Sequence, residues 1–140
     1  MAFQDGADGV VGAGGRAPHC GGGVVPGWAL MEGGKDIENR RQVTDAVHAE
    51  GGRIAMQILH FGRDAYHPDL VGPSPIQAPI SPFPPRELTA AEVERTIEDF
   101  VTCAALAKDA GYDGVEIMGS EGYFINEFIS ARTNHRTADW

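Results

Sequence analysis

The chain has 140 residues, 42% of them apolar, enough for one domain with a single core. Twenty acidic against 11 basic side chains give a net charge of −9, which opposes nonspecific nucleic-acid binding because no basic surface can replace phosphate counterions. No run approaches the ~18 consecutive apolar residues of a membrane span, the opening "MAFQDGADG" carries no secretory pattern, and Cys20 and Cys103 are too few for a disulfide framework. A cytoplasmic protein with reduced thiols and no nucleic-acid or membrane partner is expected.

Residues 1–35 hold more than half of the 19 glycines and show no clear periodicity. "GAGGRA" (12–17) matches G-x-G-x-x-A, but a dinucleotide loop needs a full strand before it and a helix after it. Pro18 and the run Gly21-Gly22-Gly23 make that helix implausible. From Asp36, read as an N-cap, Ile37, Val43, Ala46 and Val47 fall on one helical face, and Gly51-Gly52 stops the helix. "RIAMQILHFG" is then a short run of strand length, apolar on both faces, as a strand covered on both sides must be.

Between about 63 and 88 lie Pro68, Pro73, Pro75, Pro79, Pro82, Pro84 and Pro85, a density that excludes helix interior and central strand. Thr89 and Glu92 make a capping-box pattern. Behind it, Val93, Ile97, Phe100, Val101, Ala104 and Ala107 give a helical stripe that ends at Gly111. "GVEIMGS" reads as the next strand, with Ile54–Leu59 and Val115–Met118 expected to be parallel neighbours and both helices on one side.

Alternating strands and helices place chemistry just beyond the C-terminal strand ends. Two stretches lie there, "QILHFGR" (57–63) and "MGSEGYFINEFIS" (118–130). Gln57, inside an apolar strand, needs partners for its carboxamide; a heterocycle edge would serve, and so would neighbouring backbone. His60 and Arg63 suit an anionic or carbonyl ligand, although an arginine paired with a surface acid is the default. Tyr123 could donate a proton if its hydroxyl meets a substrate, whereas most tyrosines are amphipathic edge residues. Arg132 and Arg136 bracket "TNH" and could hold phosphate or carboxylate. His19, His48, His60, His67 and His135 show no metal-ligand spacing, so no metal site is expected among these residues.

Taken together, "AVHAEGGRIAMQILHFGR", "AKDAGYDGVEIMGSEGYFINEFIS" and "RTNHR" resemble the Old Yellow Enzyme family of flavin-dependent reductases, and most closely its bacterial 2,4-dienoyl-CoA reductase branch. The resemblance implies a (β/α)8 barrel with FMN at the C-terminal face, reduced by NAD(P)H, passing hydride to the activated alkene of a small molecule such as an acyl-CoA thioester. Carried over by motif, Gln57 and Gly15 would contact FMN, Tyr123 would supply the proton, and Arg132 would meet the acyl-CoA. Where many relatives clamp a substrate carbonyl with His and Asn or His, this chain has Met118 and Glu121, a pattern that the dienoyl-CoA branch shares.

A complete barrel takes ~250 residues, so residues 1–140 are expected to be a partial barrel domain of about three βα units, lacking the first strand and the later ones. The branch's iron–sulfur cluster and FAD would belong to the missing C-terminal part.

Overall fold

The computed structural model describes residues 9–13, 34–65, 68–137 and 140, with side chains from Ile37 onward. Gly15 and the rest of "GAGGRA" beyond Ala13 lie outside the described residues. In chain order the elements are β1 (Gly9–Ala13), α1 (Gly34–Ala49), β2 (Ile54–Ile58), a 3-10 turn (Gly62–Asp64), β3 (Val71–Gly72), β4 (Arg86–Glu87), α2 (Ala90–Asp109), β5 (Gly114–Ile117) and α3 (Phe124–Ile129).

Three strands form one parallel sheet in the order β1-β2-β5, with Met56 opposite Val11 on one side and Val115 on the other. Both expected strands are present and parallel, each ending one residue earlier than the sequence suggests. The Met118 N–H still extends the ladder to the Ile58 carbonyl (3.0 Å). Ile54, Met56 and Ile58 alternate onto one face and are at most 3% exposed. Against them pack Cys103, Ala107 and Ala110 with the partly buried Phe100, Ala104 and Leu106, and also Ile37 and Val47, so both helices cover the same face. Cys103 is a free, buried thiol. β1 lies in a segment whose glycines mask its strand character; its valines are β-branched, and pairing along all of β2 supplies the rest.

The helix faces differ from the sequence reading. α1 starts at Gly34, two residues before the expected cap at Asp36. Its inward stripe is Ile37, Arg40, Thr44 and Val47, while Val43 and Ala46 are exposed. The reason is polar docking: Thr44 Oγ1 donates to the Ala110 carbonyl (2.8 Å), and Arg41 donates to the Asp109 carbonyl. These bonds satisfy carbonyls left open at the end of α2 and place a cation at its negative pole. α2 buries Val93, Thr96, Cys103 and Ala107, leaving Ile97 and Val101 outside.

The capping box is formed, with Thr89 and Glu92 exchanging bonds (2.8 and 3.3 Å). The Arg86 guanidinium grips both Glu92 oxygens (2.9 and 2.8 Å) and, with the Thr89 N–H, holds that carboxyl at about 2. The proline-rich connection contributes only the two-residue pair β3–β4, parallel through Val71 and Arg86. Under it a second small core joins Val71, Leu88, Val93 and Phe124. Among the described residues no helix is long and apolar enough to cross a membrane.

Candidate active site

The sheet register brings the segments after β2 and β5 side by side. The Phe124 N–H donates to the His60 carbonyl (3.1 Å), stitching the start of α3 to the end of β2. Between β5 and α3 the chain turns sharply through two left-handed residues, Glu121 (φ 64°) and Gly122 (φ 88°). Glutamate is uncommon there; the Asn126 side chain accepts the Gly122 N–H (3.0 Å) and fixes the turn. Tyr123 follows as the residue capping α3, its ring edge-on to Phe61 with centroids 5.4 Å apart. His60 stacks at a tilt on Phe124 (4.2 Å), and its Nδ1 accepts the Gly62 N–H (2.9 Å), so the neutral ring carries its proton on Nε2.

On the face of the sheet away from the helices, Gln57 and Glu116 are paired in register and bonded, Nε2 to Oε2, at 3.1 Å. The residue opposite Gln57 on β1 is Gly12. Gly12 brings no side chain to that position, so the stretch of β1 paired beside the half-buried carboxamide is bare backbone at that residue. A planar ring could lie against this stretch with its polar edge toward Gln57. FMN therefore fits the residues present.

A cavity of about 450 Å³ opens between the proline-rich segment and α3, lined by Arg63, Gln77, Asn126, Glu127, Ser130 and Arg132 among others. Arg63 and Arg132 are thus brought together, whereas Gln57, His60 and Tyr123 do not line this cavity. The Arg63 guanidinium donates to the Ile76 carbonyl (3.2 Å), an anchor inside its own loop. Arg136 is committed to structure: its guanidinium, 6% exposed, bonds the Leu88 carbonyl and pairs with Glu87. Met118 offers only its thioether, which accepts from the Ser120 hydroxyl (3.2 Å). Among the described residues no group of three or more His, Cys, Asp or Glu is placed to hold a metal ion.

The residue that motif reading passes over is Glu127. It is 1% exposed and sits on the apolar side of α3 between Phe124 and Phe128. Burial pushes its carboxyl up to about 8, the nearby Asp64 adds to the rise, and the Arg63 N–H and cation oppose it. Asp64 is itself raised by burial, against the pull of Arg63. The folded state therefore keeps the Glu127 proton where the unfolded chain, at 4.5, has lost it. Stability contributed by the neutral carboxyl is full below about 4.5, declines as pH rises toward 8, and is level above that. The slope is at most about 1.4 kcal/mol per pH unit. Urea unfolding across this window should show the decline in the native chain and a flatter profile in Glu127→Gln.

Parallel βα units with titratable and cationic side chains gathered beyond the strand ends are the arrangement of α/β enzymes, in barrels and open sheets alike. Residues 6–140 match the NADH:flavin oxidoreductase / NADH oxidase family, and the chain belongs to it. It is 37% identical over 105 residues to an NADPH dehydrogenase of Bacillus velezensis, an alignment covering 74% of this chain and 31% of that protein. The structure of an Old Yellow Enzyme homologue from Zymomonas mobilis superposes with a TM-score of 0.81 at 32% identity, over 92% of this chain and 40% of that one. A 2-naphthoyl-CoA reductase in complex with 2-naphthoyl-CoA gives a TM-score of 0.77 at 30% identity, over 84% of this chain and 20% of the reductase. The three parallel strands are thus part of the (β/α)8 barrel of this family, and the chain spans about a third of the length of the Bacillus relative.

Proposed function

We propose that residues 1–140 form part of the active site of an FMN-dependent NAD(P)H oxidoreductase. The reaction would reduce an activated C=C bond, that of a 2,4-dienoyl-CoA or related enoyl thioester. The observation that carries the reading is the sheet face at Gln57, a carboxamide beside the side-chain-free Gly12, in a chain of this family. FMN, when bound, supplies hydride received from the nicotinamide cofactor.

The chain's own residues have separate tasks in this reading. Gln57 meets the polar edge of the ring system, and Gly15 keeps the FMN contact that the family resemblance implies. Tyr123 holds a proton on its phenol oxygen and delivers it to the substrate carbon that does not receive hydride. Arg63 and Arg132, which share the cavity wall, hold the anionic part of a thioester, with His60 close by on the same loop as Arg63. Met118 and Glu121 cannot form a two-donor carbonyl clamp, and the dienoyl-CoA branch, which this stretch resembles, shares that pattern. The iron–sulfur cluster and FAD would lie outside residues 1–140, and the reduced Cys103 suits a cytoplasmic setting.

The competing reading is an enone reductase or NADH oxidase of the same family. The two separate in the reoxidation half-reaction: a polypeptide that carries the whole barrel with FMN, once reduced by NADPH, should be reoxidised at least tenfold faster by a dienoyl-CoA than by a cyclic enone. Arg132→Ala should raise KM for the thioester with little change in kcat, because a contact distant from the reacting carbons stabilises ground and transition states alike. Equal rates with both oxidants would favour the enone reading.

A further inference from the structure

Glu127 stands where three segments meet. Its Oε1 accepts the Arg63 N–H (3.0 Å) from the turn beyond β2. Its own N–H donates to the Tyr123 carbonyl (2.8 Å), and its carbonyl accepts the Thr133 hydroxyl (2.7 Å). Two glycines make room for the carboxyl: a Cβ on Gly62 would lie 2.2 Å from Oε1, and one on Gly72 would lie 3.1 Å from Oε2. The second oxygen, Oε2, is buried with no hydrogen-bond partner, and the residue lines the cavity with Arg63. Buried polar atoms are satisfied as a rule, so an acid held this tightly with one oxygen left open calls for a reason.

We propose that Glu127 is a positioning residue of the candidate site, the group through which the Gly62–Arg63 turn and the helix start at Tyr123 are held in one geometry. In the neutral form the proton sits on Oε2, and Oε1 keeps the Arg63 N–H. Loss of that proton leaves an anion with few donors. The charged and titratable groups around it are Arg63 and Asp64 on the turn, His60 just before it with Nδ1 on the Gly62 N–H, Arg132 across the cavity, and Tyr123 at the helix start. Of these, the Arg63 guanidinium can respond, by leaving the Ile76 carbonyl for Oε2. That movement would draw the turn toward α3 and alter the setting of Tyr123. The idea rests on this chain's geometry alone and needs neither flavin nor turnover, so it can fail while the proposed function stands, and the reverse.

The test is an NMR titration of the 140-residue chain, following the Glu127 side-chain carboxyl carbon and the amides of Arg63 and Tyr123. All three should inflect together at about pH 8. In Glu127→Gln the inflection should vanish from both amides while the spectrum stays dispersed. The proposal is overturned if Glu127 titrates in the ordinary carboxylate range. It is equally overturned if Tyr123 shows no inflection while Arg63 does, or if the inflection survives in the variant. Should Glu127→Gln fail to fold, the coincidence or separation of the three curves in the unaltered chain still decides.

Discussion

Replacing Tyr123 with phenylalanine, in a polypeptide that joins residues 1–140 to the remaining barrel strands and carries FMN, is expected to slow alkene reduction by ~10²–10⁴-fold, the usual contribution of a positioned proton donor. That corresponds to roughly 3–5 kcal/mol of lost transition-state stabilisation. Flavin reduction by NADPH should be unchanged, since that half-reaction needs no proton from the phenol. The substitution keeps the ring, so the edge-on contact with Phe61 and the backbone cap of α3 survive. The unfolding midpoint should therefore stay where it is. Stopped-flow traces of each half-reaction give the comparison, and a loss below tenfold in the oxidative step would remove Tyr123 from the proton-donor role.

The second large effect concerns stability. Gly62 has φ of 57°, and a Cβ there would lie 2.2 Å from Glu127 Oε1 and 2.6 Å from both Cδ and Oε2. Glu127 is 1% exposed, and moving its carboxyl away would break the bond from the Arg63 N–H. Gly62→Ala should cost about 1 kcal/mol for left-handed backbone, with roughly 1–3 kcal/mol more for forced overpacking. Gly51→Ala is the control: φ is 75° there, but nothing lies within 4 Å of the added atom, so only the backbone cost applies. Urea midpoints should rank the unaltered chain first, then Gly51→Ala, then Gly62→Ala. Adding Glu127→Ala to Gly62→Ala should recover part of the loss, because the two side chains compete for one space. Equal costs at Gly51 and Gly62 would contradict the packing seen around Glu127.

The parts of the fold that were legible in the sequence are those written in local signals. Thr89 and Glu92 are three residues apart, and their bond decides where α2 begins without help from elsewhere. β2 is a run of apolar residues bounded by glycines. The buried face of α1 was not legible, because Arg40 and Thr44 look like solvent residues until Ala110, 66 positions away from Thr44, supplies the acceptor. β1 was obscured in the same way, since its glycine-rich segment becomes a strand only by pairing along β2.

At the site, Arg63 and Arg132 could be picked out by position, and the fold places both on one cavity. Glu127 shows in the sequence only as one acid between two phenylalanines on an apolar stripe, with no role attached. Its meaning depends on Gly62 and Gly72, two distant glycines that surround the carboxyl only after the chain has folded.

The central claim, that these strands carry one side of a flavin site, is tested most directly by colour. The sheet described here has three strands, with β1 and β5 as its edges. In such barrels the phosphate donors lie after the seventh and eighth strands. Without them two or three charge-assisted bonds are lost at about 1.5–3 kcal/mol each, which weakens binding by orders of magnitude. Residues 1–140 alone, mixed with FMN and freed of excess flavin, should be colourless. A polypeptide that joins them to the remaining barrel strands of the family should be yellow, bleach with NADPH and regain colour with a dienoyl-CoA. A longer polypeptide that folds but takes up no FMN would contradict the account, as would one whose flavin stays bound and reducible after Gln57→Leu with unchanged affinity.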